Sequence, residues 1–566
     1  MRLKNNALGK YLYVGVPATS LFILTESVTD PVNLTKFFLL GGVGTAVLFI
    51  ALRNFRYMWK VHTYPLILSI AFVVFSIFAS VTSELPLSQN LYGVYGRNTG
   101  LLSYFFLASI LLGGLLVNSA RDFDRIFFGL FFTGLINVLY CAWVIAFGDF
   151  LGWNNPYGNI LGLFGNPNFI GAFLGIWISA TTGFFLVKKM EIWKRGSLIL
   201  LLLVACYEVY SSRAVQGVVV TSAGLATVFF FYIRSKNAKN TLLSVYTVTV
   251  LTFGIFALLG ALQRGPLAEI VYKVSVSLRG VYWRAGIEMG LANPLTGVGM
   301  DGYGDWYRTL RSEYAATTLP GPTVVTNSAH NIPIDIFAYG GFPLALVYLI
   351  MIFLGVKSIL SIMRRSRRFD PTFVALSVAW IGYQLQSLIS INQIGLAVWG
   401  WLLTGVLIAY DLKQSIDEKD IESPAIQSSS KKLLNKNNSV FSNDLVAGIG
   451  FMIGLVVAAP PISADMAWTR ANKSGSVQAV ELALEESYLR PSNSQRLLNT
   501  IQVLENSKLP ELALKYARLA TEFNPRNFEA WFALYSVSAS TEEDKARALS
   551  AMKTLDPFNA EIQSYK

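Results

Sequence analysis

NSAHNIPIDIFAYGGFPLALVYLIMIFLGV, residues 327–356, is where the chain leaves its longest polar loop and enters an apolar run. A helix needs about 20 largely apolar residues to cross a bilayer, and 332–356 meets that length with one carboxylate, Asp335, near its start. The loop before it, about 263–331, carries Arg264, Arg279, Arg284, Arg308 and Arg311. It ends at His330, one of only 2 histidines in the chain. Cations and one imidazole on one side of a membrane suit an anionic, phosphate-bearing substrate and a hydroxyl that needs activation.

Composition agrees with a membrane reading. The 566 residues are 53% hydrophobic and 14% charged, against about 25% charged in soluble domains. The formal charge of +12 comes from Lys and Arg at the ends of apolar runs, where they set topology. No basic face with interleaved aromatics is present, so nucleic acid is not an expected partner. Cys141 and Cys206 both lie inside apolar runs, which argues against a disulfide framework or a cysteine metal site. The first apolar run reads as a retained helix rather than a cleaved signal.

Apolar runs near 11–27, 34–52, 64–82, 100–118, 127–148, 168–187, 197–211, 214–233 and 242–262 precede the loop. Runs near 332–356, 372–390, 394–411 and 444–462 follow it, which predicts an all-α polytopic bundle of about 13 spans. Threaded in order, the segments with Arg2, Arg53, Arg121, Lys188, Arg234, Arg364 and Lys431 all fall on one side, expected to be cytoplasmic. That threading treats Ser211-Ser212-Arg213 as a turn, although a kink fits the local sequence as well. The N-terminus is then cytoplasmic, and the 263–331 loop and everything beyond the last span lie outside.

Residues 1–411 read as the polytopic domain and the Ser/Lys/Asn-rich stretch 412–443 as a cytoplasmic linker, followed by an additional span at 444–462. Beyond, 465–566 changes to amphipathic helical spacing, with Pro491, Pro525 and Pro557 spaced 34 and 32 residues apart. That period predicts either a tetratricopeptide-like array of helical hairpins or an ordinary small bundle. In both cases the tail lacks a catalytic constellation and suits recruitment of a partner or acceptor.

Several polar clusters fall on the outer side. Arg97 lies in Tyr92-Gly-Val-Tyr-Gly-Arg97-Asn-Thr-Gly100, and Asn166 in Gly165-Asn166-Pro167-Asn168, where asparagine is by default a turn former. Arg213 sits at a membrane edge, either as a snorkelling interfacial arginine or as a clamp for a lipid-linked diphosphate. Arg279 and Arg284, five apart on a predicted amphipathic helix, do not share one face. His330 reads as an interfacial polar residue or as a general base, with Ser328 or Asn327 capping the following helix. No cluster of histidine, cysteine and carboxylate surrounds it, so no metal is expected. Gly297, Gly299, Gly340 and Gly341 fit tight turns or close helix approach.

Taken in order, Gly165-Asn166-Pro167-Asn168, Ser212-Arg213, Arg279 with Trp283, Asn293-Pro294-Leu-Thr-Gly297-Val-Gly299 and Ala329-His330-Asn331 resemble the O-antigen ligase and Wzy polymerase superfamily. The resemblance covers roughly 90–410. It implies a GT-C-like multi-helix fold and a metal-independent glycosyltransferase without cofactor, acting on undecaprenyl-diphosphate-linked glycans outside the bacterial cytoplasmic membrane. By position it implies His330, Arg279 and Arg213 as catalytic residues, and Arg284, Asn331, Arg97 and Asn166 as substrate-binding residues. Many relatives carry a glutamate shortly after the His-Asn pair, where this chain has Phe337-Ala338-Tyr339. Lipid, glycan or protein acceptors, ligation or repeat-unit polymerisation, and protein O-oligosaccharyl transfer all remain open under the resemblance. The competing classes are a bicarbonate or other small-solute transporter and a non-catalytic scaffold. A transporter places ionisable groups near the midplane, whereas here Glu208 and Asp335 both lie toward the outer ends of their runs.

Overall fold

A computed structural model describes residues 6–236, 240–266, 268–271, 274–422 and 441–565. Among them the chain is helical and forms no named strand. The expectation of an all-α polytopic protein is borne out. By length and composition, 9 helices among the described residues suit a membrane: Asn33–Arg53, Thr63–Val81, Ala120–Phe147, Pro167–Phe185, Val215–Ser235, Thr241–Ala261, Ile332–Arg365, Ile394–Asp417 and Asn443–Ser474.

The other expected spans are also helices, each short of that measure of length or charge. Leu101–Leu115 and Pro371–Ser387 have 15 and 17 residues. Ile192–Ser211 is long enough but carries Lys194, Arg195 and Glu208. The first run is helical only to Leu21, through a π-turn at Tyr11–Gly15. The turn precedes Pro17, whose ring cannot continue a regular α-ladder from the residue four before it.

Two more boundaries move. The helix starting at Ile394 continues to Glu422, into the stretch read as linker; 423–440 lie outside the described residues. The helix Asn443–Ser474 runs through 462 without a break, so span and tail share one helix. It lies against Asn33–Arg53 at close range: a Cβ on Gly454 would come 2.0 Å from the carbonyl oxygen of Gly41. Small residues at such contacts let helix backbones approach where no hydrophobic force separates helix from lipid.

Contacts sort the connections to two ends of the bundle. At one end Arg365 pairs with Asp411, Thr372 bonds Asp124 and Lys10 meets Asp444. At the other, Asn33 donates to Gly96 O at 2.7 Å, Asn331 to Leu388 O at 2.9 Å, and Tyr95 to Asp465 at 2.9 Å. Ser211–Arg213 is a turn rather than a kink: one helix ends at Ser211, Arg213 takes φ +53°, and a new helix starts at Val215.

The long loop, about 263–331, is itself structured, with helices Val274–Ala292, Tyr303–Leu310 and Glu313–Thr317. Its Asn293–Gly299 segment plugs a break in Ile332–Arg365, where Gly340 and Gly341 leave helical geometry. The carbonyls freed there are taken up: Val298 N donates to Ala338 O at 2.8 Å and Gly299 N to Tyr339 O at 3.1 Å. Phe342 N returns a bond to Pro294 O at 2.8 Å. Gly341 has φ +63°, and a Cβ there would lie 2.3 Å from Pro294 O. Buried backbone groups need such partners, which explains why the glycines occur in two distant pairs.

Beyond Ser474 come helices Val477–Leu484, Ser494–Asn506, Pro510–Phe523, Phe528–Ser536, Glu542–Leu555 and Ala560–Ser564. Their shared core includes Leu497, Tyr516, Trp531, Leu534 and Met552. This tail lies directly on the long loop. Asn524 and Asp556, each followed by a proline, are fully buried and reach Asp305 and the loop arginines.

Candidate functional site

His330 sits just before the helix Ile332–Arg365 at φ +57°, in the left-handed region. The cap is Asn331, whose side-chain oxygen accepts from Ile334 N at 3.1 Å, rather than Ser328 or Asn327. Ser328 has another task. Its Oγ accepts from His330 N at 3.0 Å and donates to Asp335 at 2.7 Å, while Asp335 also takes Ala329 N at 2.7 Å. The turn carrying the imidazole is thereby tied to the first turn of the helix.

The imidazole itself is held on one edge. Nδ1 lies 3.3 Å from Ser328 O, and the ring leans on Tyr282 with centroids 5.5 Å apart. A carbonyl can only accept, so that contact places the proton on Nδ1 and leaves the Nε2 lone pair free. Burial lowers the pKa of His330 to about 4; the contact with Ser328 raises it, and nearby Arg279 and Arg97 lower it. At neutral pH the ring is an uncharged base. The second histidine, His62, is buried between Phe55–Val61 and Thr63–Val81 at the opposite end.

Arg279 comes from Val274–Ala292, three residues before Tyr282, so one helix face brings both to the imidazole. Its guanidinium makes no ion pair or hydrogen bond with another described residue, and burial lowers its pKa. Arg284, further along, is exposed. Arg213 is exposed beside the Asn166 turn: Gln216, in the helix that Arg213 leads into, donates to Asn168 O. Asn166 caps Pro167–Phe185 by accepting from Asn168 N at 2.9 Å, and its amide nitrogen reaches Tyr157 at 3.1 Å. Asn331 is committed at both ends of its amide, to Ile334 N and Leu388 O.

Arg97 is buried, not displayed. It donates to the backbone and side chain of Asn327, reaches Tyr339 Oη at 3.3 Å and pairs with Asp301 at 3.5 Å. Asp301 also accepts from Val94 N at 2.8 Å, Thr99 Oγ1 at 3.1 Å and Tyr339 Oη at 3.1 Å. The site roles of Asp301, Tyr339, Ser328 and Tyr282 escaped the sequence reading. Asp301 carried one usable signal: it is a carboxylate two residues after the Gly297-Val-Gly299 motif. Tyr339 joins the arginine network through its hydroxyl.

Two loop arginines prove to have another role. Arg308 pairs with Glu529 at 2.8 Å and Asp556 at 3.0 Å, and Arg311 with Asp556 at 2.7 Å. They fasten the tail and are not free to meet substrate. Arg264 is exposed at the start of the loop. Among the described loop cations, Arg279 stands within electrostatic influence of His330.

Residues 197–349 match a family model described as O-antigen ligase. The matched stretch holds Arg213, the Arg279 helix, the Asn293–Gly299 plug and His330-Asn331, and it ends short of Arg97, Asn166 and the tail. No curated protein matches the chain. The resemblance drawn from the ordered motifs is borne out over this stretch. With the apolar helices, it supports a multi-pass membrane protein that is similar over this stretch to O-antigen ligases.

Proposed function

We propose that the chain transfers a glycan from undecaprenyl diphosphate to an acceptor hydroxyl at the outer face of the bacterial cytoplasmic membrane. The observation that carries this is His330, uncharged, with Nδ1 on a carbonyl and Nε2 free, beside an arginine that lacks a carboxylate partner among the described residues. Nε2 takes the acceptor proton as the acceptor oxygen attacks the anomeric carbon. The bond from that carbon to the diphosphate oxygen breaks, its electron pair leaves with undecaprenyl diphosphate, and configuration inverts. Arg279 and Arg213 meet the charge that develops on the leaving group. No metal or other cofactor takes part in this scheme.

In this reading the N-terminus is cytoplasmic and the tail, tetratricopeptide-like, stands outside and recruits the acceptor or an assembly partner. The tail favours ligation to a large acceptor, since simple chain extension has no need of it. The test is surface-glycan profiling, by gel and mass spectrometry, of a deletion strain complemented with wild type, His330→Ala or Arg279→Ala at matched protein levels. Polymer accumulating on lipid and missing from its acceptor supports ligation; single repeat units on lipid point to the polymerase reading. An unchanged profile in both variants sinks the transfer reading and brings the transporter forward.

A further inference from the structure

The tail does not seal flat against the outer loop. Between them lies a cavity of about 380 Å³, within the range of roughly 300–1,000 Å³ typical of small-ligand sites. One wall is Val325-Thr326-Asn327, the strand of chain that leads into His330, together with the Tyr92–Asn98 turn beside Arg97. The facing wall is Pro491–Arg496 and Asn527–Glu529 of the tail.

The lining has a distinct chemistry. Its ionisable side chains of opposite sign balance, Asp305 and Glu529 against Arg308 and Arg496. Most are already engaged: Asp305 receives Gln89 at 2.6 Å and Asn524 at 3.1 Å, and Arg308 pairs with Glu529. The remaining polar groups are amides and hydroxyls, interleaved with the rings of Tyr92, Tyr95, Phe523 and Phe528. Two lining residues keep a buried polar atom without a partner among the described residues, the acceptor Asn98 Oδ1 and the donor Arg496 Nε. A net anion gains nothing from a balanced wall, and an apolar ligand leaves the amides unsatisfied. An uncharged molecule rich in hydroxyls, with carbon–hydrogen faces for the rings, satisfies both.

We infer that this cavity is a binding subsite for an uncharged saccharide segment, held between tail and loop on the approach to His330. It rests on the glycan-transfer reading for its purpose, but its occupancy is measurable without any transfer. The saccharide belongs either to the donor chain or to the acceptor, which share the same chemistry.

The experiment uses full-length protein in nanodiscs and saturation-transfer difference NMR. One probe is the water-soluble polysaccharide released by mild acid from its lipid carrier; the other is the glycan released from acceptors of a deletion strain. Ser492→Trp fills the cavity without removing a side-chain hydrogen bond present in the structure, and is expected to weaken binding at least about tenfold. Gln495→Ala, at an exposed lining position, serves as a mild second variant and is expected to weaken it by about twofold to fivefold. Binding retained in His330→Ala and lost in Ser492→Trp supports the subsite, and the probe that binds identifies its source. No binding of either probe to wild type, binding indifferent to both lining variants, or binding of inorganic pyrophosphate in place of saccharide overturns it. A surface-glycan profile unmoved by His330→Ala would instead fault the transfer reading, with the binding result standing separately.

Discussion

Arg311 and Asp556 are joined across 245 residues of chain by one guanidinium nitrogen that lies 2.7 Å from each carboxylate oxygen, with both side chains fully shielded from solvent. The carboxylate also holds Arg308 at 3.0 Å. The long loop and the end of the tail are therefore one electrostatic unit, and the loop arginines nearest the tail are spent on holding it.

Removing that carboxylate leaves Arg311 without its ionic partner in a dry contact, beside an Arg308 that keeps only Glu529. Asp556→Asn is expected to cost the docked arrangement about 3–5 kcal/mol, the usual penalty for a buried charge stripped of its partner. Limited proteolysis of the purified protein checks it: the tail should be released faster, with the span region unaffected.

At the imidazole, His330→Ala is expected to lower transfer by about 10²–10⁴-fold, the range for loss of a general base. Melting temperature should hold, because the turn is secured by Ser328 and Asp335 rather than by the ring. A single-turnover assay with lipid-linked donor, paired with thermal denaturation, separates the two effects.

The pH profile follows from the direction of the His330 shift. Its pKa lies at about 4, below the ordinary histidine value, so the ring stays deprotonated and active from neutral pH down through pH 5. Activity should fall only as pH drops through about 4. Arg279 contributes to that lowering, so Arg279→Gln raises the pKa and moves the acid limb to higher pH. The same substitution should cut the maximal rate by about 10²–10³-fold, as loss of a preorganised charge does. An acid limb that stays in place would contradict the proximity of the two groups.

The plug in the broken helix makes a separate claim. Gly341→Ala puts a Cβ 2.3 Å from Pro294 O at a positive φ, so it should destabilise the fold by about 1–3 kcal/mol. Thermal denaturation reads the loss. Gly280→Ala, on the same loop and with open space around its would-be Cβ, should be neutral or slightly stabilising.

How much of this was legible in the chain varies by residue. Apolar run length and the placement of Lys and Arg determined the helices and the alternation of their ends, because a bilayer imposes those rules on any sequence. The ordered motifs determined the family resemblance and pointed to His330 and Arg279. Only the tertiary structure separated the arginines. Arg97, Arg279, Arg308 and Arg311 are equivalent as letters, yet Asp301 claims the first and Asp556 the last two, through contacts hundreds of residues apart. Composition cannot say which cation is already neutralised, since a salt bridge depends on distance in space. The same holds for the glycines of the plug and for the Ser328 carbonyl that sets the tautomer of His330. Local sequence carries the demand for a partner, and the fold alone decides which partner answers it.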